Sequence, residues 1–162
     1  MKSKRVLFLT QSAMIASIYV VLTVVFRPIS FSEIQIRFAE ALTILPAFTP
    51  AAIPGLFVGC MIANLIGGGI LPDILFGSLA TLIGALFTYV LRKQHHFLAP
   101  LPPIVANTIV VPCILKYAYG ITLPIPLLML TIGIGEIISC GVFGLILYKT
   151  LKKYQYRIFK TN

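Results

Sequence analysis

Acidic side chains are nearly absent from this chain, which has only four Asp and Glu residues among 162. Charged residues of both signs make up 10% of the sequence, whereas soluble domains carry about 25%. Hydrophobic residues make up 59%, and the mean hydropathy is +1.01. A water-soluble domain of this size could not bury so much apolar surface. The composition therefore predicts an integral membrane protein whose solvent is lipid.

Motifs for catalysis and for metal binding are also missing. The chain has three cysteines, which lie far apart within apolar runs and read as small apolar fillers: Cys60, Cys113 and Cys140. Gly67–Gly69 lacks the following Lys-Ser/Thr of a phosphate-binding loop, and the adjacent His95 and His96 would not share a helix face. We therefore expect no enzyme activity, no metal, no cofactor and no nucleotide site that could power transport.

Six apolar stretches approach the length of about 17–25 residues that a helix needs to cross a bilayer. Proline, glycine and charged residues separate them and predict turns. We place the spans at 6–26, 38–53, 55–71, 74–91, 100–119 and 125–148, followed by a basic tail at 149–162. The first span is too long for the core of a signal peptide, so we expect it to be retained. The short, proline-rich pair 38–53 and 55–71 leaves a re-entrant hairpin open as an alternative.

Lysine and arginine are unevenly distributed between the connections, which predicts orientation through the positive-inside rule. With the N-terminus inside and alternating spans, the cytoplasmic side holds ten of the thirteen basic residues. The outer side holds Arg27, Arg37 and Lys116. Both termini are then cytoplasmic. The tail mixes basic and aromatic residues, which favours contact with anionic lipid headgroups over nucleic acid.

The most polar stretch of the chain is Ser32–Pro46, which contains Glu33, Gln35, Arg37 and Glu40. The spacing of Arg37 and Glu40 predicts a pair on one face of a helix. That pair is either a local structural contact or part of a ligand site.

Carboxylates inside a membrane are informative, because each costs about 2.5–3.5 kcal/mol on insertion scales and usually faces a cavity or a partner. Glu136 lies about 18 Å into the last predicted span, with no basic residue nearby in sequence. We predict that it faces a ligand, with a buried ion pair to Lys116 or Arg37 as the alternative. Asp73 follows Pro72 at a predicted helix start, where an acid suits the helix dipole.

Two amides and two pairs of small residues complete the polar and packing features of the spans. Asn64 and Asn107 either bridge helices or touch a ligand. The first span carries small residues four positions apart, which let another helix approach closely: Ser12 with Ala16, and Ala13 with Ser17. These pairs serve either packing inside the protein or docking to a separate membrane subunit.

The segments Glu33–Pro46, EIQIRFAEALTILP, and Phe48–Asn64, FTPAAIPGLFVGCMIAN, resemble the QueT family of substrate-binding S components of energy-coupling-factor (ECF) transporters. The resemblance covers nearly the whole chain and implies an all-α, six-transmembrane-helix S-component bundle in a prokaryotic plasma membrane. It implies a queuosine precursor as ligand, a 7-deazaguanine such as 7-aminomethyl-7-deazaguanine or queuine. It also implies a transmembrane coupling subunit and two ATPase subunits as partners, with the small residues of the first span as the docking strip.

A 7-deazaguanine suits the polar residues of this chain, since a carboxylate accepts both donors of a guanine edge and an aminomethyl cation needs a second acid. The predicted substrate-binding residues are Glu33, Gln35, Arg37, Glu40, Asn64, Asp73, Asn107, Lys116 and Glu136. Candidates for stacking on the ring are Phe31, Phe38, Tyr117 and Tyr119. Two other classes stay open: a self-sufficient secondary transporter of a cationic or purine-like solute, and a membrane scaffold that binds no small molecule.

Overall fold

A computed structural model describes residues 2–30, 36–94 and 96–158, and within these ranges the regular structure is entirely helical. The α-helices are α1 (Lys2–Val25), α2 (Arg27–Ser30), α3 (Ala52–Ile66), α4 (Ser78–Leu91), α5 (Leu101–Tyr117), α6 (Ile125–Glu136) and α7 (Gly144–Ile158). Two π-helical segments extend them: Asp73–Gly77 precedes α4, and Ile137–Phe143 joins α6 to α7. The 3₁₀ helices are Phe38–Ala47 and the short His96–Leu98. The prediction of an all-α architecture is confirmed.

Three helical stretches among the described residues are long and apolar enough to cross a membrane: Lys4–Val25, Asp73–Leu91 and Ile125–Gln155. Shorter apolar helices occupy the other predicted spans, at Phe38–Ala47, Ala52–Ile66 and Leu101–Tyr117. The number of crossings and the direction of the termini stay predictions.

The helix Phe38–Ala47 differs from the predicted span 38–53 in type and length. It has ten residues in 3₁₀ conformation, with Pro46 inside it, and α3 already begins at Ala52. Ten residues at about 2.0 Å each reach about 20 Å, less than the roughly 30 Å of a bilayer core. Runs of 3₁₀ helix longer than three or four residues are uncommon. Here residues 39–46 are buried, and the helix packs against α1, α3, α4, α7 and Ile137–Phe143.

Aromatic pairs tie both ends of this central helix to its neighbours. The ring of Phe38 lies 4.6 Å from that of Phe26 and 5.1 Å from that of Phe143. Beyond its other end, the ring of Phe48 lies 4.9 Å from that of Tyr148. Phe38 is therefore a packing residue, although its position suggested stacking on a ligand.

Helices α1 and α3 approach closely because small residues meet at their contact. A Cβ at Gly55 would lie 2.7 Å from the Ser12 carbonyl oxygen, and one at Gly59 would lie 3.0 Å from the Ala16 Cα. The Ser12 hydroxyl also donates to the Ala51 carbonyl, at 2.8 Å. Ser12 and Ala16 thus pack inside the protein rather than on an exposed docking strip.

The second pair of small residues on α1 lies on an adjoining, exposed strip of the helix. Ala13 and Ser17 are exposed, and the Ser17 hydroxyl donates to the Ala13 carbonyl of its own helix, at 2.9 Å. Two faces of one helix therefore carry the two predicted pairs, and only the Ala13/Ser17 face is open to lipid or to another subunit.

Candidate functional site

Two carboxylates and one thiol meet in the interior of the helical bundle. Glu40 comes from the central 3₁₀ helix, Glu136 ends α6, and Cys140 lies one turn later. The side chains of Glu40 and Glu136 are 1% and 5% exposed. A carboxylate oxygen of each and the Cys140 sulfur all lie within 4.8 Å of one another. We call Glu40 and Glu136 the acid pair.

Neutral side chains donate hydrogen bonds to the acid pair. The Tyr19 hydroxyl donates to Glu40 Oε1, and Asn107 Nδ2 donates to Glu136 Oε1 at 2.9 Å. The Cys140 thiol donates to Glu136 Oε2, at 3.2 Å. Glu40 Oε2 is buried and has no hydrogen-bond partner among the described residues. A buried polar atom left unpaired costs about 1–3 kcal/mol, so a further donor at this oxygen would be favourable.

Arg37 supplies positive charge beside this cluster. It is 6% exposed, and it interacts electrostatically with both Asp73 and Glu40. Arg37 and Glu40 interact electrostatically, but they do not share a helix face as predicted, because Arg37 is extended and immediately precedes the 3₁₀ helix. The backbone N–H of Glu40 donates to the Arg37 carbonyl, at 2.9 Å.

A cavity of about 520 Å³ opens at the end of the bundle that the charge distribution predicts to be external. Gly67–Gly69, Arg27, Asp73 and Tyr119 line it together with residues of α5 and α6. The Tyr119 hydroxyl donates to Asp73 Oδ2 at 3.0 Å and accepts from the Ile70 N–H at 3.3 Å. Ligand pockets for small molecules typically measure about 300–1,000 Å³.

The acid pair lies a short distance below this cavity along two helices. Val111 and Thr131 line the cavity on α5 and α6. Asn107 and Glu136 lie four and five residues farther along the same helices. At 1.5 Å per residue, these steps correspond to about 6 and 7.5 Å. The cavity and the acid pair are therefore neighbouring parts of one region.

Both predicted amides bridge structural elements. Asn107 joins α5 to Glu136, as described above, and Asn64 Nδ2 donates to the Asp73 carbonyl at 3.4 Å. Asn64 Oδ1 has no partner within the described part of the chain. Asp73 begins a helical segment directly after Pro72, as predicted.

Lys116 lies apart from the acid pair. Its ammonium donates to the carbonyls of Thr122 and Leu123, each at 3.2 Å. The structure therefore does not form the ion pair between Lys116 and Glu136 that the sequence left open. The predicted site residues Glu33 and Gln35 lie outside the described residues.

Sequence reasoning missed three neutral residues of the cluster. Tyr19 lies on the α1 face that packs inward, and Thr43 donates through its hydroxyl to the Glu40 carbonyl at 2.6 Å. Cys140 follows Glu136 by four residues, which places both on one face of the helix. The interpretation of Cys140 as a small apolar filler is wrong, since its thiol hydrogen-bonds Glu136.

This arrangement is suited to binding a donor-rich or cationic group. Both carboxylates accept hydrogen bonds, and the described neighbours that donate to them are neutral. Glu40, Glu136 and Cys140 could also supply three ligand atoms to a metal ion. A metal would require the thiolate form of Cys140, which adds a third negative charge against Arg37. We therefore interpret the acid pair as acceptors for an organic ligand.

A model of the QueT transporter family matches residues 9–153 of the chain. The matched range includes the acid pair, its hydrogen-bond donors and every residue that lines the cavity. No curated protein and no solved structure matches the chain.

Proposed function

The chain belongs to the QueT transporter family, and from that premise we propose that it is the S component of an ECF importer for a queuosine precursor. The family indicates transport rather than catalysis, and the long apolar helices indicate a membrane location. The observation that carries the proposal is the buried acid pair beneath a cavity of about 520 Å³. Such a cavity with a few convergent polar groups is typical of a small-molecule site.

The chemistry of the region supports a 7-deazaguanine as ligand. The edge of a guanine ring presents N1–H and an exocyclic amine side by side, and carboxylate oxygens accept both. Asp73 lines the cavity, while Glu40 and Glu136 lie below it. The region therefore offers acceptors at two levels, which suits a ligand with donors at both of its ends.

We further propose that separate subunits energise transport. The sequence contains no phosphate-binding loop of the Walker type, so ATP hydrolysis would come from two ATPase subunits joined through a transmembrane coupling subunit. In this proposal the exposed Ala13/Ser17 face of α1 is the docking surface for the coupling subunit. Small residues there would allow close approach of a partner helix. The complex would lie in a prokaryotic plasma membrane.

Ligand binding to the purified protein tests this proposal, with Glu136→Gln as the variant. Glutamine keeps the oxygen that accepts from Asn107 but replaces Oε2 with a donor group. We expect wild-type protein to bind 7-aminomethyl-7-deazaguanine in isothermal titration calorimetry. The variant should lose about 2–4 kcal/mol, which is roughly 30- to 1,000-fold in affinity. A variant that binds like the wild type would assign Glu136 a structural role only, and adenine serves as the control ligand.

A secondary transporter is the second candidate, because two neighbouring buried carboxylates could relay protons. Reconstitution separates the two functions. An S component needs its coupling and ATPase subunits for uptake into liposomes, whereas a secondary transporter would accumulate substrate alone under a proton gradient.

A further inference from the structure

We propose that the acid pair Glu40 and Glu136 forms a subsite for a cationic amine, so that the protein selects amine-bearing 7-deazaguanines over neutral ones. This inference rests on the proposed function and narrows its substrate class. It assigns the amine of the ligand to the acid pair and the ring to the cavity above.

The charges around the acid pair favour a cation. Glu40 and Glu136 contribute two carboxylates, and Arg37, which faces them, also interacts with Asp73. Three uncharged groups donate hydrogen bonds to the two carboxylates: the hydroxyl of Tyr19, the amide of Asn107 and the thiol of Cys140. Buried carboxylates are costly unless a positive charge or hydrogen bonds compensate them. A bound ammonium would add positive charge and so compensate the two carboxylates further.

The spacing of the oxygens fits an ammonium bridge. A tetrahedral ammonium that makes two charge-assisted hydrogen bonds of about 2.8 Å holds its acceptor oxygens about 4.6 Å apart. One carboxylate oxygen of Glu40 and one of Glu136 lie within 4.8 Å of each other. The two groups therefore need little rearrangement to share one amine.

The existing hydrogen bonds leave acceptors for that amine. Tyr19 and Asn107 each donate to Oε1 of their glutamate, which fixes the orientation of both carboxylates. Glu40 Oε2 is buried without a partner among the described residues. Glu136 Oε2 accepts only the thiol of Cys140 within that part of the chain, and a thiol is a weak donor that an ammonium can outcompete. One oxygen of each carboxylate is thus available to the ligand.

The cavity provides room for the uncharged part of such a ligand. Its lining on α5 and α6 ends about 6–7.5 Å above the level of Asn107 and Glu136, as measured along the helices. Asp73 and Tyr119 offer an acceptor and an aromatic ring at its wall. A ring held there would direct its amine-bearing substituent down between α5, α6 and the central 3₁₀ helix.

Paired titrations with two ligands of the same ring test this inference. The probes are 7-aminomethyl-7-deazaguanine, which is cationic, and 7-cyano-7-deazaguanine, which is neutral. We expect wild-type protein to bind the amine roughly 10- to 100-fold more tightly, as one or two charge-assisted hydrogen bonds allow. Glu40→Gln and Glu136→Gln should each bring this ratio close to one, since each removes one of the charges that hold the amine.

Asp73→Asn is the matched control, because it also neutralises an acid but lies at the cavity wall. It should weaken both ligands and leave their ratio near the wild-type value. Equal affinity of wild-type protein for the two ligands would overturn the inference and leave the proposed function standing. Binding of neither ligand would overturn both. The wild-type ratio decides the matter even where a glutamine variant fails to fold.

Two further outcomes would also contradict the assignment. If both glutamine variants keep the wild-type ratio, the amine lies elsewhere in the protein. If Zn²⁺ binds to wild-type protein, competes with the amine-bearing ligand and is lost in Cys140→Ser, the cluster is a metal site instead.

Discussion

At the scale of single residues, burial of the acid pair is energetically unfavourable, and the hydrogen bonds from surrounding side chains compensate this cost only in part. One oxygen of Glu40 and one of Glu136 lie within 4.8 Å in a buried position, and each carboxylate receives a hydrogen bond from a neutral donor. Such a cluster does not make an apolar bundle more stable, because well-packed apolar residues at the same positions would stabilise it at least as much. This unfavourable burial is the reason why we propose a binding role for the cluster.

Removing the hydroxyl of Tyr19 should destabilise the protein. Tyr19→Phe keeps the buried ring, which is 1% exposed, but leaves Glu40 Oε1 without its donor. Because Glu40 Oε2 already has no partner among the described residues, the variant should lose about 1–3 kcal/mol of unfolding free energy. Thermal unfolding in detergent measures this loss. Tyr154→Phe on α7 is the control, since Tyr154 is 43% exposed, and equal melting temperatures for both variants would contradict the prediction.

The sequence predicted the charged members of the site better than the neutral ones. An acid in an apolar span is conspicuous, so Glu40, Glu136 and Asp73 could be recognised without a structure. Tyr19 and Cys140 could not, because such residues are common in apolar helices and only the fold brings them to the carboxylates. Lys116 was as conspicuous in sequence, and in the structure it donates hydrogen bonds to loop carbonyls.

At the scale of elements, the central 3₁₀ helix and the contact between α1 and α3 organise the bundle. Hydropathy alone suggested that residues 38–53 form an α-helical span. The actual helix is short and tightly wound, its residues 39–46 are buried, and five helical elements pack around it. Apolar content predicts burial, but it does not distinguish burial in protein from burial in lipid.

The two faces of α1 should respond differently to a larger side chain. Ala16→Leu would crowd Gly59 of α3 and should cost about 1–3 kcal/mol of stability through overpacking. Ala13→Leu lies on the exposed face and should leave the melting temperature nearly unchanged while impairing assembly with the coupling subunit. Thermal unfolding and co-purification with the ECF module measure the two effects. If Ala13→Leu assembles normally with the coupling subunit, the Ala13/Ser17 face contacts lipid and is not the docking surface.

At the scale of the whole molecule, the sequence predicted a series of apolar helices separated by turns. Turn residues separated the apolar stretches, and each stretch contains helical residues in the structure, but α2 lies between two stretches and α3 crosses the boundary between 38–53 and 55–71. The boundary between 38–53 and 55–71 differs from the structure, where one helix ends at Ala47 and the next begins at Ala52 and contains Pro54. The cavity could not be predicted at all, since its walls come from residues between positions 27 and 131 that only the fold brings together.

The orientation of the molecule in the membrane is the last prediction. Positive residues cluster at the N-terminus, around Arg92 and in the C-terminal tail, so these regions should be cytoplasmic. The cavity lined by Asp73 and Tyr119 would then open to the outside, as the proposed import function requires. Reporters fused after Asn162 or inserted near Gln94 should report cytoplasm, and one inserted near Ser30 should report the exterior. If the C-terminal reporter lies outside, the cavity must open to the cytoplasm. That orientation would be incompatible with uptake from the medium.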